Sequence, residues 1–145
     1  MRIIFILAVA LGVNSISLFA QRGHLVGKVT EVVGNQMPSP TPQSKATSFG
    51  VVREIFVFEL TNQKQATREN YFYKSITTRL ITKKKTKADG SFQIKLKAGK
   101  YSIFVKEQDG FFANQLDGEG NINKVVIEPK KTTLLDLRVD YKAAY

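Results

Sequence analysis

The stretch that most constrains this chain is Asp89–Val105, DGSFQIKLKAGKYSIFV. Phe92, Ile94 and Leu96 alternate with Gln93, Lys95 and Lys97, and Tyr101, Ile103 and Val105 resume the alternation after Ala98-Gly99-Lys100. A repeat of two sends successive side chains to opposite faces of a strand, so each run reads as a strand with one buried and one wet face. Two such runs joined by a short Gly-containing turn predict a β-hairpin. Asp89-Gly90 turns the chain into it, because Gly tolerates positive φ and Asp bonds its own neighbouring backbone.

The same period predicts five more strands. Strand one, over about 24–33, has Leu25, Val29 and Val33 on one side and Val26, Thr30 and Val32 on the other. Strand two, 51–60, is apolar on both sides at Ile55-Phe56-Val57-Phe58, and so needs cover on both. Strand three runs over 76–87, and its end, Lys83-Lys84-Lys85-Thr86-Lys87, is too charged for burial and is expected to protrude as a hairpin arm. The hairpin supplies strands four and five. Strand six, 124–128, is closed by Pro129, and in strand seven Thr133, Leu135, Leu137, Val139 and Tyr141 alternate with Leu134, Asp136, Arg138, Asp140 and Lys142. Seven strands, frequent turns and no amphipathic helix indicate an all-β antiparallel sandwich. Its expected core is Phe92, Ile94, Leu96, Tyr101, Ile103, Leu135, Leu137 and Val139.

The pattern Asp-Gly-x-Phe-x-x-x-Leu-x-x-Gly-x-Tyr-x-x-x-Val over 89–105 resembles the carboxypeptidase regulatory-like domain family. Gly27-Lys28-Val29, Ile55-Phe56-Val57 and the closing strand are similar to that family's other strands, in the same order. The resemblance implies a seven-stranded, transthyretin-like Greek-key β-sandwich, common in bacterial secreted and envelope proteins. It implies no catalytic residue, since in the parent enzymes this domain accompanies the catalytic one. Two departures stand out: a Pro-rich loop over 34–50, which holds three of the four prolines, and an insertion over 61–75.

Met1-Arg2, an apolar run from Ile3 to Val13 and Ala20 after a polar stretch read as a secretory signal peptide cleaved after Ala20. That leaves 21–145 as a single domain, periplasmic or extracellular, with no transmembrane segment once the leader is gone. There is no cysteine, which excludes a disulfide framework and a lipid anchor on a cleavage-site cysteine. The mature chain must hold by its core. Lys and Arg number 22 against 12 Asp and Glu. Most of the lysines occupy alternate strand positions and loops, where they read as a solvated face that discourages edge pairing. The other reading is attraction to an anionic surface.

Catalytic and metal chemistry find little footing. The single histidine, His24, begins strand one, and one His without Cys makes neither a His/Cys zinc site nor, on its own, a catalytic triad. The hydroxyisourate hydrolases, a related transthyretin-like family, use several histidines and a C-terminal Tyr-Arg-Gly-Ser; this chain ends Tyr141-Lys142-Ala143-Ala144-Tyr145. Asp117, Glu119, Asn121, Asn123 and Glu128 match calcium-loop spacing, but Ile122 stands where the loop bends at Gly, and a plain turn is the better reading. No cofactor and no metal is expected.

The sequence therefore reads as a non-catalytic exported module for protein or envelope interaction, with a carbohydrate- or anionic-glycan-binding module as the first alternative and a small transthyretin-like hydrolase as the second. Nucleic acid is not an expected partner, because stacking aromatics interleaved with cations occur only at Tyr71-Phe72-Tyr73-Lys74. A glycan platform would draw on Tyr71, Tyr73, Phe111 and Phe112. Tyr71, Phe72 and Tyr73 are expected to fold back over an outer face of strand two formed by Ile55 and Val57. If they do not, these five residues are the candidate partner surface.

Overall fold

The computed structural model describes residues 21–38, 40 and 47–145. The expected leader lies outside them, as does part of the Pro-rich run. In chain order the strands are β1 (Arg22–Asn35), β2 (Thr47–Gly50), β3 (Glu54–Glu59), β4 (Ala66–Glu69), β5 (Phe72–Ile76), β6 (Leu80–Lys85), β7 (Ser91–Lys97), β8 (Gly99–Glu107), β9 (Gly110–Phe112), β10 (Lys124–Ile127), β11 (Thr132–Leu134), β12 (Leu137–Val139) and β13 (Ala143–Ala144). They build two sheets, and the expected β-sandwich is what forms.

β1 is the spine of the first sheet. On one side it pairs antiparallel with β7 over Arg22–Lys28 and with β2 over Thr30–Val33. On the other, β11, β12 and β13 succeed one another along it, and all three run parallel to it. This parallel lane is the exception to the antiparallel pairing expected from the sequence. The expected seventh strand is also broken: Leu135 and Asp136 leave the ladder, although the Leu135 amide still donates to the Val26 carbonyl and the Asp136 carboxylate accepts from the Lys28 amide. The break sits against Gly27, where a Cβ would lie 1.7 Å from the Leu135 carbonyl oxygen, so β1 can pass only as glycine.

In the second sheet β8 pairs with β3 on one side and with β9 and β10 on the other; β6 extends it beyond β3, and β5 and β4 extend it beyond β9. The β4–β5 hairpin is the insertion, which therefore contributes strands rather than a loop. Lys83, Lys84 and Lys85 do not protrude as an arm. They pair with Phe56, Ile55 and Glu54 as the sheet's edge.

Between the sheets lie Leu25, Val29, Phe92, Ile94, Leu96, Leu137 and Val139 from the first, and Ile55, Val57, Tyr101, Ile103 and Val105 from the second. Of the expected core only Leu135, beside the strand break, is no more than partly buried. A smaller core covers the outer face of the second sheet: Phe58, Tyr73, Phe104, Ala113 and Ile122, with Phe56 and Phe111 against them. Phe104 there is 0% exposed, edge-on to Phe58 and Tyr73 at 5.5 and 5.6 Å between ring centres. The 113–123 segment closes this layer: the Ile122 amide donates to the Thr61 carbonyl and the Gln63 amide to the Gly120 carbonyl. Burying an aromatic of this size is worth about 1.5–3 kcal/mol, which accounts for a sheet sealed on both sides.

Candidate functional site

The candidate partner surface does not assemble. Ile55 and Val57 are 0% exposed between the sheets, because Ile55 stands opposite Val105 and Val57 opposite Ile103. The outward side chains of β3 are Phe56 and Phe58, the reverse of the expected parity. The insertion does cover that outer face, with Ala66 and, of the three aromatics, Tyr73 alone. Phe72, its neighbour on β5, points the other way into the main core, and Tyr71, in the β4–β5 turn, is exposed and lies 6.3 Å from the Tyr141 ring. Tyr73 and Phe112 are buried and Phe111 is half-buried under Lys106, so no exposed platform unites the four aromatics.

A set of charged residues is half enclosed at one end of the sandwich. Arg53 Nε donates to Glu107 Oε1 at 2.7 Å, and its Nη2 to Glu31 Oε2 at 3.2 Å. Lys142 Nζ meets Glu31 at 2.8 Å, and the Tyr141 hydroxyl donates to Glu107 at 2.9 Å. Burial pulls the Arg53 pKa down, but the hydrogen bond and charge of Glu107, with Glu31 behind, leave it raised. Burial, then the Glu107 hydrogen bond, pushes the Tyr141 phenol up. Every member is committed to another, so this cluster fastens β1, β8, the β2–β3 link and the C-terminal lane together. It offers no free group to a ligand.

Asp117 behaves as a turn residue. Its carboxylate accepts from the Asn121 side chain and from the Asn121 and Glu119 amides, which hold its pKa at about 2. Lys124 lies 3.4 Å from it, and Glu128 pairs with Lys131. Among the described residues no group of three or more His, Cys, Asp and Glu is placed to hold a metal ion. His24 faces outward on β1, 3.2 Å from Gln93 Nε2.

An open concave surface lies between β6 and β7. These strands belong to opposite sheets and are joined by residues 86–90, so their unpaired edges flank the seam of the sandwich. The joining turn is pinned: Thr86 exchanges hydrogen bonds with Arg53 and Val51, the Val29 amide donates to the Gly90 carbonyl, and Gly90 has φ +84. Two clefts of about 420 and 500 Å³ follow the seam and share Lys95. Arg22 and Lys97, cross-strand partners, line one end; Lys84, Lys85 and Lys87 line the other. Seven of the 22 Lys and Arg side chains line this groove, and no Asp or Glu does. Only Arg79 among them has an ion-pair partner, Glu59 at 3.0 Å. Its open apolar surface comes from Leu80, 44% exposed, and the half-buried Ile81, with Leu96, Tyr101 and Phe92 buried behind them. Sequence reasoning missed the groove because Arg22, Lys84 and Lys95 come together only through the fold.

No family model matches the sequence, and no curated protein does. Among solved structures, the chain is similar to GBS52, the minor pilin of the Gram-positive pathogen Streptococcus agalactiae, with a TM-score of 0.42 and 14% identity. The likeness covers 83% of this chain and 44% of that one, so the chain spans less than half of the pilin's length. Among the described residues no helix is long and apolar enough to cross a membrane.

Proposed function

We propose that this protein is a non-catalytic, exported interaction module that docks an anionic envelope partner in the groove between β6 and β7. The observation that carries the reading is the groove's charge: seven cations and no carboxylate along one concave seam. Like charges are costly to gather, and an anion that joins them relieves the repulsion. The leader-like residues 1–20 support export, and the resemblance of the 89–105 pattern to carboxypeptidase regulatory-like domains supports an accessory, non-catalytic part. The test is co-sedimentation of the purified protein with isolated cell envelope. A Lys84→Glu/Lys95→Glu/Lys97→Glu variant, all three positions exposed, is expected to stay in the supernatant with unchanged melting. Co-sedimentation equal to wild type would refute the reading.

A further inference from the structure

We propose that the β6–β7 groove takes an extended anionic polysaccharide, with carboxylate or sulfate groups met by the lysines and sugar rings lying on the apolar floor. This rests on the groove being the working surface. Three features select that class of ligand.

The first is shape and spacing. The two clefts are both lined from β6 and β7 and share Lys95, so one chain-like ligand can reach from one into the other. Lys95 and Lys97 are two residues apart on β7, about 6.7 Å at strand rise. That lies inside the screening length of about 8 Å at physiological salt, so their fields add along the groove. A flat bilayer meets a convex or planar surface, whereas here Lys95 is shared by two concave clefts.

The second is the mixture of charge and apolar floor. Leu80, 44% exposed, and the half-buried Ile81 offer apolar surface beside Arg22, Lys95 and Lys97. A pyranose ring carries a C–H face that packs on such a floor while its acidic groups reach the rim. A free inorganic anion has no use for it.

The third is what the groove lacks. Its Phe92 and Tyr101 rings are 3% and 8% exposed, and the half-buried His24 imidazole is a single ring beside Gln93. The groove therefore has no run of open ring faces for successive bases to stack on, as single-stranded nucleic acid requires. The edge that an added β-strand would use carries Lys83, Lys84 and Lys85 in succession, which opposes strand addition by a protein partner.

The experiment titrates the purified protein with heparin and with a linear polyuronate at about 50 mM salt, with neutral dextran, phosphatidylglycerol vesicles and oligodeoxythymidine as comparisons. Both anionic polysaccharides are expected to bind and dextran not to, with affinity falling about tenfold or more by 300 mM salt. The Lys84→Glu/Lys95→Glu/Lys97→Glu variant is expected to bind about tenfold or more weakly, and a Lys64→Glu/Lys100→Glu/Lys130→Glu variant, equal in charge but off the groove, within about twofold of wild type. Should the first variant misfold by circular dichroism, Lys95→Gln alone, at the centre, is expected to weaken binding about threefold. Failure of both polysaccharides to bind, or equal weakening by the two triple variants, overturns the proposal. Groove-dependent binding of vesicles or oligonucleotide without polysaccharide also overturns it, while leaving the interaction-module reading in place.

Discussion

Replacing Arg53 by Met takes one cation from between two carboxylates while keeping most of its aliphatic bulk. Glu31 and Glu107 are 7% and 8% exposed, so water cannot fully replace what is lost. Hydrogen bonds to charged groups are worth about 1.5–3 kcal/mol each. The 2.7 Å bond to Glu107 should stand at the upper part of that range and the 3.2 Å bond to Glu31 at the lower. Glu31 keeps Lys142 at 2.8 Å, and Glu107 keeps only the Tyr141 hydroxyl, so the penalty centres on Glu107. Removing one partner of a fully buried pair costs about 3–5 kcal/mol. The Arg53 side chain is 25% exposed, which discounts this to about 2–4 kcal/mol. Against a total stability of about 5–15 kcal/mol that is a large share. Urea denaturation followed by far-UV circular dichroism measures it, since the chain has no Trp. In a Glu107→Gln background the same substitution should cost about 1–2 kcal/mol less, because the carboxylate it strands is already neutral. A cost under about 0.5 kcal/mol in both backgrounds would show that the cluster is no more than a surface ion pair.

Leu137→Ala should cost about 2–5 kcal/mol, while its neighbour Leu134, 79% exposed, and Lys95, on the outer face of β7, should each tolerate Ala within about 0.5 kcal/mol; denaturation midpoints decide this. Tyr73→Ser should destabilise by about 3 kcal/mol or more and raise hydrophobic-dye binding by uncovering Phe104, whereas Tyr71→Ser should change stability by under about 1 kcal/mol. Gly50→Ala should cost about 1–3 kcal/mol or more, because its Cβ would lie 1.8 Å from the Asp89 carbonyl oxygen. The Asp117 pKa is lowered from 3.8 to about 2, first by the Asn121 side chain. A depressed folded value stabilises above the unfolded one, so this contribution is whole above about pH 4 and lost as pH falls through about 2. The stability difference between wild type and Asp117→Asn, followed by urea titration across that window, should shrink accordingly.

The expected hairpin does not form: β7 pairs with β1 and β8 with β3, β9 and β10, so the chain crosses at Ala98 from one sheet to the other. The core was legible all the same, because β7 alternates strictly, and strict alternation leaves one choice of buried face. β3 shows where that stops. Four apolar residues in a row announce two covered faces but not which parity turns inward. The choice is made by the register of Ile55 on Val105, across 50 residues of sequence. The β4–β5 hairpin was hidden by its polar composition, ATRE followed by FYKSI, which suits a sheet extension with one wet face and gives no run of β-branched residues. The groove and the Glu31–Arg53–Glu107 cluster were illegible for one reason. Their members are scattered along the chain, each looks like an ordinary surface charge, and only the three-dimensional arrangement makes them neighbours.

The lane of β11, β12 and β13 against β1 has a consequence for how the molecule reaches this state. Its ladder joins residues far apart along the chain, as the pairing of Val29 with Leu137 shows. Contacts of such separation form late and slowly, since loop-closure entropy is lost before they return anything. A chain emerging from its amino end holds β1 early but must wait for 132–144 to fill its second edge. During that interval β1 presents a long unpaired strand to its surroundings, the condition under which chains pair with one another instead of themselves. Refolding yield should therefore fall with protein concentration more steeply than the native surface, guarded by its lysines, would suggest.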